Sequence, residues 1–261
     1  MDQLIELALA EDVGDGDITT RILVPPDAQA TARIVRREPG VVAGLDVAAA
    51  VFERFDVALE PGEGDVVARL EGPAAGILTA ERTALNFLGR LSGIATLTAR
   101  YVEAVAGTGA QILDTRKTIP GLRALEKAAV VAGGGTNHRM GLYDAIMVKE
   151  NHARAAGGLA EATRKAIAEG PYGVEVCVEC ETGDEVDLAI TCGARRLLLD
   201  NMSLDELREA VERAAGRAQL EASGGITLEN VRGVAETGVD FISVGALTHS
   251  APALDFSLLF D

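Results

Sequence analysis

The strongest constraint on the fold is a repeat in the second half of the chain. Four short apolar segments, residues 174–178, 196–199, 219–222 and 241–244, each run into a polar or small residue, namely Glu179, Asp200, Ser223 and Gly245. These end positions lie 21, 23 and 22 residues apart. Such an interval holds one strand and one returning helix, and no hairpin signal joins the segments, so the strands must run parallel with helices crossing between them. Helical stretches at 203–216 and 227–236 fill two of the intervals, and candidate strands at 111–113 and 145–148 bring the count to six. An α/β fold follows, with residues 108–261 forming a parallel α/β barrel that six visible strands leave short of the usual eight. A doubly wound dinucleotide-binding sheet fits less well, because no glycine-rich loop follows the first strand.

Residues 1–107 follow another pattern. A short amphipathic start (Leu4, Ile5, Leu7, Ala8), Pro25-Pro26, a β-rich run over 32–42 and turns at Pro61-Gly62 and Gly72-Pro73 indicate a separate α+β domain. A helical connector carries Leu85, Leu88, Leu91, Ile94 and Leu97, is interrupted at Ser92-Gly93, and ends at Gly107-Thr108-Gly109. The last residues of the chain are free to return to this first domain.

Composition narrows the function. With 24 Lys+Arg against 40 Asp+Glu, the net charge of −16 disfavours attraction to nucleic acid or anionic membrane. No apolar stretch reaches the roughly 18 residues of a spanning helix, and the N-terminus is acidic where a signal peptide is basic, so a cytoplasmic protein is expected. Three cysteines are too few for a disulfide framework. Only four of the basic residues are lysine, and both a high-salt cytoplasm and an arginine-rich codon usage account for that bias.

On such an acidic chain, basic residues gathered at strand ends stand out. Residues 114–118 read Asp-Thr-Arg-Lys-Thr, residues 133–139 read Gly-Gly-Gly-Thr-Asn-His-Arg, and the second strand ends at Lys149. Barrel enzymes place their sites at strand C-terminal ends, so Arg116, Lys117, His138, Arg139 and Lys149 should converge on a polyanion. Glu179 and Asp200 end neighbouring strands, where a hard divalent cation, Mg²⁺, would reconcile them with an anionic ligand. Asp200-Asn201 capping the helix near Ser203 is the alternative. Ala222-Ser223-Gly224-Gly225 and Ser243-Val244-Gly245 leave backbone N–H groups open at helix starts, as phosphate sites do. Cys177 and Cys180 form a C-x-x-C, yet in a strand residues i and i+3 face opposite ways, and the histidines lack ligand spacing, so no zinc site is expected.

The run Glu11-Asp12-Val13-Gly14-Asp15-Gly16-Asp17-Ile18-Thr19-Thr20, then Glu81-Arg82-Thr83-Ala84-Leu85-Asn86 with Leu91-Ser92-Gly93-Ile94-Ala95-Thr96, residues 114–123, Asn137-His138-Arg139, Lys149, and Ser223-Gly224-Gly225-Ile226 together resemble the quinolinate phosphoribosyltransferase family. The resemblance spans nearly the whole chain in order. It implies an N-terminal α/β sandwich domain, an open C-terminal barrel, and transfer of a phosphoribosyl group from 5-phosphoribosyl 1-pyrophosphate to quinolinate. The implied products are nicotinate mononucleotide, pyrophosphate and CO₂, with Mg²⁺, in NAD biosynthesis. It further implies a homodimer whose Arg82 enters the partner's site. By the same resemblance, Thr115, Arg116, Lys117, His138, Arg139 and Lys149 bind quinolinate, Lys149, Glu179 and Asp200 are catalytic, and the two carboxylates hold the metal directly or through water. Ser223, Gly224, Gly225, Ser243, Val244 and Gly245 bind phosphate. The match departs where the family often reads Val-Glu-Val-Glu and this chain has Val176-Cys177-Val178-Glu179, and Glu150 replaces a frequent aspartate. The competing readings are a paralogue acting on another anionic heterocycle, a Schiff-base aldolase using Lys149, and a non-catalytic phosphate-metabolite sensor.

Overall fold

A computed structural model describes residues 1–261, which divide into two compact units: Met1–Leu97 with Ala251–Asp261, and Thr98–Ser250. The first unit contains α1 (Asp2–Val13), α2 (Ile18–Leu23), β1 (Gln29–Arg36), α3 (Leu45–Glu53), β2 (Ala58–Pro61) and β3 (Val66–Pro73). Helix α4 (Ala74–Ala104) starts in it and runs on into the second unit. The second unit holds β4 (Gln111–Leu113), α5 (Arg123–Ala132), β5 (Ile146–Val148), α6 (Glu150–Ala156), α7 (Leu159–Glu169), β6 (Val176–Cys180) and α8 (Gly183–Thr191). It continues through β7 (Arg196–Asp200), α9 (Leu204–Ala214), β8 (Gln219–Ser223), α10 (Val231–Ala235), β9 (Phe241–Ser243) and α11 (Ala246–His249). The chain closes with β10 (Phe256–Phe260), which pairs with β1 in the first unit.

The first sheet is antiparallel, in the order β10-β1-β3-β2. Strand alternation puts Ala32 and Ile34 of β1 opposite Leu70 and Ala68 of β3, all four buried. Helix α3 buries Val47, Ala48, Val51 and Phe52, the stripe a 3.6-residue period predicts. Removing a side chain the size of Phe52 from water contributes about 1.5–3 kcal/mol.

Helix α4 is continuous for 31 residues, so the expected break at Ser92-Gly93 is absent. Those residues make room and partners for neighbouring chain. The Ala43 amide donates to Ser92 Oγ at 3.0 Å and Ser92 Oγ donates back to the Ala43 carbonyl at 3.2 Å. One turn on, Thr96 Oγ1 treats the Val41 amide and carbonyl the same way, at 2.9 and 3.4 Å. A Cβ on Gly93 would lie 1.9 Å from the Pro252 carbonyl oxygen, so only glycine lets residues 252–254 cross the helix there. The division after Leu97 also falls earlier than the boundary at 107 read from the sequence, because Gly107 marks the end of a long helix and not of a unit.

The second sheet is wholly parallel, in the order β4-β9-β8-β7-β6-β5. Strands β4 and β5 form its two edges and do not pair with each other, so the barrel stays open. Thr136 bridges to Leu113 on the free side of β4. The register aligns Glu179 with Leu198 and Leu198 with Glu221, which makes these residues one layer. Val178, Leu197, Leu199, Leu220, Ala222, Ile242 and Val244 occupy the alternate phase and are buried on the helix-covered face.

Candidate active site

Thirteen of the residues singled out in the sequence line one cavity of about 660 Å³ at the strand C-terminal ends of the second unit. They are Thr115, Arg116, Lys117, His138, Arg139, Lys149, Glu179, Asp200, Ser223, Gly224, Gly225, Ser243 and Gly245. The volume suits a substrate-sized ligand. Helix capping explains why the carboxylates are free to face it. Thr182 with Glu185 forms a capping box on α8, and Ser203 with Glu206 does so on α9. Asp200 is therefore not the cap of α9, and Glu179 and Asp200 remain at the cavity wall. Glu179 accepts Lys149 Nζ at 2.5 Å, while Asp200 accepts the Asn201 amide at 2.7 Å.

The cationic side is held from beneath. Asp114 and Lys127 form a fully buried ion pair. Lys127 Nζ also donates to the His138 carbonyl at 2.9 Å, and the His138 amide donates to Asp114 Oδ1 at 2.8 Å. The Asn137 amide nitrogen, facing inward, donates to Asp114 Oδ2 and to the Lys127 carbonyl. Burial raises the Asp114 carboxyl, against the pull of Lys127 and the His138 amide. Arg123 staples the opposite loop, donating to Thr118 Oγ1, the Met140 carbonyl and the Arg116 carbonyl. These contacts deliver Arg116 and Arg139 to the cavity close enough to repel. Burial, and next the Arg116 charge, lower the pKa of the Arg139 guanidinium. Arg116 Nε is buried without a partner. Arg139 donates Nη1 to the Ala145 carbonyl at 3.0 Å and Nη2 to Met147 Sδ at 3.8 Å, so the orphaned donor of the pair is Arg116 Nε. Two guanidinium groups at one cavity wall suit an anion with planar carboxylates.

Glu221, absent from the sequence reading, forms part of the cavity floor and is fully buried. It accepts Arg196 Nη2 at 2.7 Å and the Ser243 hydroxyl, and its Oε1 faces His138 Nε2 at 3.4 Å. Burial alone would raise its carboxyl, but the His138 ring, the Ser243 hydroxyl and Arg196 outweigh that and hold it below the ordinary glutamate range. A glutamate in phase with Ser223 in the middle of an apolar strand was the available signal, since both side chains must point inward.

Two of the residues expected at the phosphates have their hydrogens engaged within the protein. Val244 is out of phase with Ser243 and Gly245, is buried on the other face, and its N–H donates to the Leu113 carbonyl at 2.9 Å. Ser243 lines the cavity, yet its hydroxyl hydrogen is committed to Glu221. Neither loop opens directly into a long helix: α10 begins only at Val231 and α11 has four residues. Gly224 and Gly225 instead have positive φ, and a Cβ on Gly224 would lie 2.1 Å from Asn201 Oδ1. Successive amides in such a conformation form an anion-binding concavity without a helix. Arg82 lies exposed on α4 and is not among the cavity-lining residues.

The sequence model of the quinolinate phosphoribosyl transferase N-terminal domain matches residues 17–92, and that of its C-terminal domain matches residues 94–259. The chain belongs to the quinolinate phosphoribosyltransferase family. It is 44% identical to the carboxylating nicotinate-nucleotide pyrophosphorylase of Mycobacterium leprae, over 97% of this chain and 95% of that one. The probable carboxylating enzyme of Bacillus subtilis is 41% identical over 98% and 92%. The nicotinate-nucleotide pyrophosphorylase structure from Francisella tularensis superposes with a TM-score of 0.95 at 41% identity, covering 99% and 95% of the chains.

Membership in this family raises the question of Mg²⁺. The donor set fits an ion that arrives with phosphates: two hard carboxylates on neighbouring strand ends face the cavity. No group of three His, Cys, Asp or Glu forms a cage, and Mg²⁺ commonly takes one or two carboxylates plus water and substrate oxygens. Cys177 and Cys180 are both buried, with burial pushing the Cys180 thiol up to about 12 and Cys177 upward as well.

Proposed function

We propose that this chain joins quinolinate to 5-phosphoribosyl 1-pyrophosphate with loss of CO₂, giving nicotinate mononucleotide and pyrophosphate in NAD biosynthesis. The observation that carries this reading is that Arg116, with its Nε buried and unpartnered, and Arg139 share the wall of one cavity that Glu179 and Asp200 also line. A planar dicarboxylate neutralises the first feature, and a sugar developing positive charge suits the second.

The residues divide the work by charge. Arg116 and Arg139 seat the two carboxylates, with His138, Lys117, Lys149 and Thr115 around them, and so place the pyridine nitrogen for attack on the anomeric carbon. Glu179 and Asp200 stabilise the cationic character of the sugar as pyrophosphate departs. Gly224, Gly225 and Gly245 present backbone to the phosphates, with Ser223 beside them. Mg²⁺, held by Glu179 and Asp200 directly or through water, would neutralise pyrophosphate oxygens when bound. Lys149, now on Glu179, and Lys117 add mobile positive charge. Once the nitrogen is alkylated, the bond between the adjacent ring carbon and its carboxylate breaks to release CO₂, the pyridinium stabilises the electron pair left on that carbon, and a proton from water or a neighbouring cationic side chain takes the carboxylate's place.

We place Arg82 in the site of a partner subunit of a homodimer, since it is exposed and lies outside the cavity of its own chain. A cytoplasmic setting suits the free thiols of Cys177, Cys180 and Cys192, and no helix is long and apolar enough to cross a membrane. The test is nicotinate mononucleotide formation with quinolinate or nicotinate as acceptor. A missing carboxylate leaves a buried cation unpaired, at about 2–5 kcal/mol, so nicotinate should be used at least ~30-fold less efficiently. Equal use of both acceptors would overturn the assignment.

A further inference from the structure

The floor of the cavity contains a buried chain of polar contacts that the proposed reaction does not itself require. Arg196 lies flat over Phe241, its Cζ 3.7 Å from the ring centroid, and donates Nη2 to Glu221 Oε2. Glu221 Oε1 takes the Ser243 hydroxyl and lies 3.4 Å from His138 Nε2, an atom sealed from solvent that makes no formed hydrogen bond, so Glu221 is the one acceptor placed to take its hydrogen as the contact closes. On the far side of the same ring, His138 Nδ1 lies 2.6 Å from the Arg139 amide nitrogen. That amide can only donate, so Nδ1 must be the unprotonated, accepting nitrogen. The hydrogen of the neutral ring therefore sits on Nε2, toward Glu221.

We propose that Glu221 is a positioning residue: it holds the His138 ring as the neutral Nε2–H tautomer, which pins the Arg139 amide and so fixes the backbone from which Arg139 reaches the cavity. Glu221 touches no reacting atom. It acts through the ring, as a carboxylate orients the far nitrogen of a histidine in other sites. Only the kinetic part of this inference rests on the activity proposed above. The tautomer does not depend on which heterocycle is bound.

Glu221→Gln separates the possibilities. Its amide oxygen will satisfy the charged Arg196, which leaves the amide NH₂ group facing Nε2–H, donor against donor. The chain has three histidines, so nitrogen NMR of histidine-labelled protein, with His138→Gln for assignment, reads the ring directly. The wild type should show a pyrrole-type Nε2 and a pyridine-type Nδ1, and Glu221→Gln should lose that pattern. In the same variant the KM for quinolinate should rise about 5–10-fold, with kcat and the KM for the phosphoribosyl donor within about 2-fold. A wild-type ring protonated on Nδ1 overturns the proposal without any variant, and so does an unchanged tautomer in folded Glu221→Gln. A tautomer shift in a protein that turns over no quinolinate upholds the proposal and sinks the activity instead.

Discussion

In the first unit, polar side chains of the recurring motifs are matched to backbone. Ser92 and Thr96 each bond both the amide and the carbonyl of one residue, and Asp17 caps α2, where the Thr20 hydroxyl and amide hold its carboxyl below the usual range. In the second unit, motif residues of similar polarity are left facing a cavity with unmet capacity: Arg116 Nε has no partner, and Arg139 sits against another cation. Buried polar groups are normally satisfied, so an orphan at the cavity wall such as Arg116 Nε marks a candidate ligand contact, whereas Arg36 Nε is an orphan of the first unit that belongs to none of these motifs. Membership in a motif does not tell residues that build the fold from residues that await a ligand. The partner of each polar atom, taken together with its place at the cavity wall, does.

The comparison can be broken most easily at the guanidinium pair. Arg139→Ala and Arg116→Ala should each lower kcat/KM for quinolinate by at least ~10-fold while circular dichroism and the thermal midpoint stay near wild type. Near-normal quinolinate kinetics in both would remove the reason for treating the second unit's unmet donors as functional. Gly93→Ala should do the converse. Its Cβ would meet the Pro252 carbonyl at 1.9 Å, so stability should fall by about 1–3 kcal/mol with the KM for quinolinate unchanged, as read by denaturant unfolding and steady-state kinetics.

Ser92→Ala sharpens the same contrast one residue away. It strands the buried Ala43 amide and carbonyl, and a loss of about 1–3 kcal/mol without a change in acceptor preference is expected in urea titrations. The smallest effect concerns the thiols. With Cys180 raised to about 12 and Cys177 raised and buried, only Cys192 should react with a thiol reagent at pH 8 before unfolding. Prompt reaction of two or three thiols in folded protein would show that the barrel interior is more open than its packing indicates.

Much of the second unit was legible because a strand followed by a helix leaves a strict mark, a short apolar run and a polar residue at its end. Glu179, Asp200 and Ser223 are in the cavity for that reason. Val244 lies buried outside the cavity lining because the two-residue phase of the strand carries past Ser243, and Glu221 was overlooked because its burial depends on Arg196, Ser243 and His138, which come from other elements. The continuity of α4 was hidden for a related cause. Ser-Gly reads locally as a break, and only the chain packed against Gly93 shows why it is there. Local signals mark where strands end, while pairing across elements decides which polar groups stay free.

The most direct test of the account is the stoichiometry of the reaction. Quinolinate labelled in the carboxyl group next to the ring nitrogen should be incubated with 5-phosphoribosyl 1-pyrophosphate and Mg²⁺ at low and at multimolar salt. The account predicts one CO₂ released per pyrophosphate formed, with neither appearing when the donor is omitted. Pyrophosphate without CO₂, or no release from folded protein at any salt, would contradict it and point to another anionic heterocycle as the acceptor.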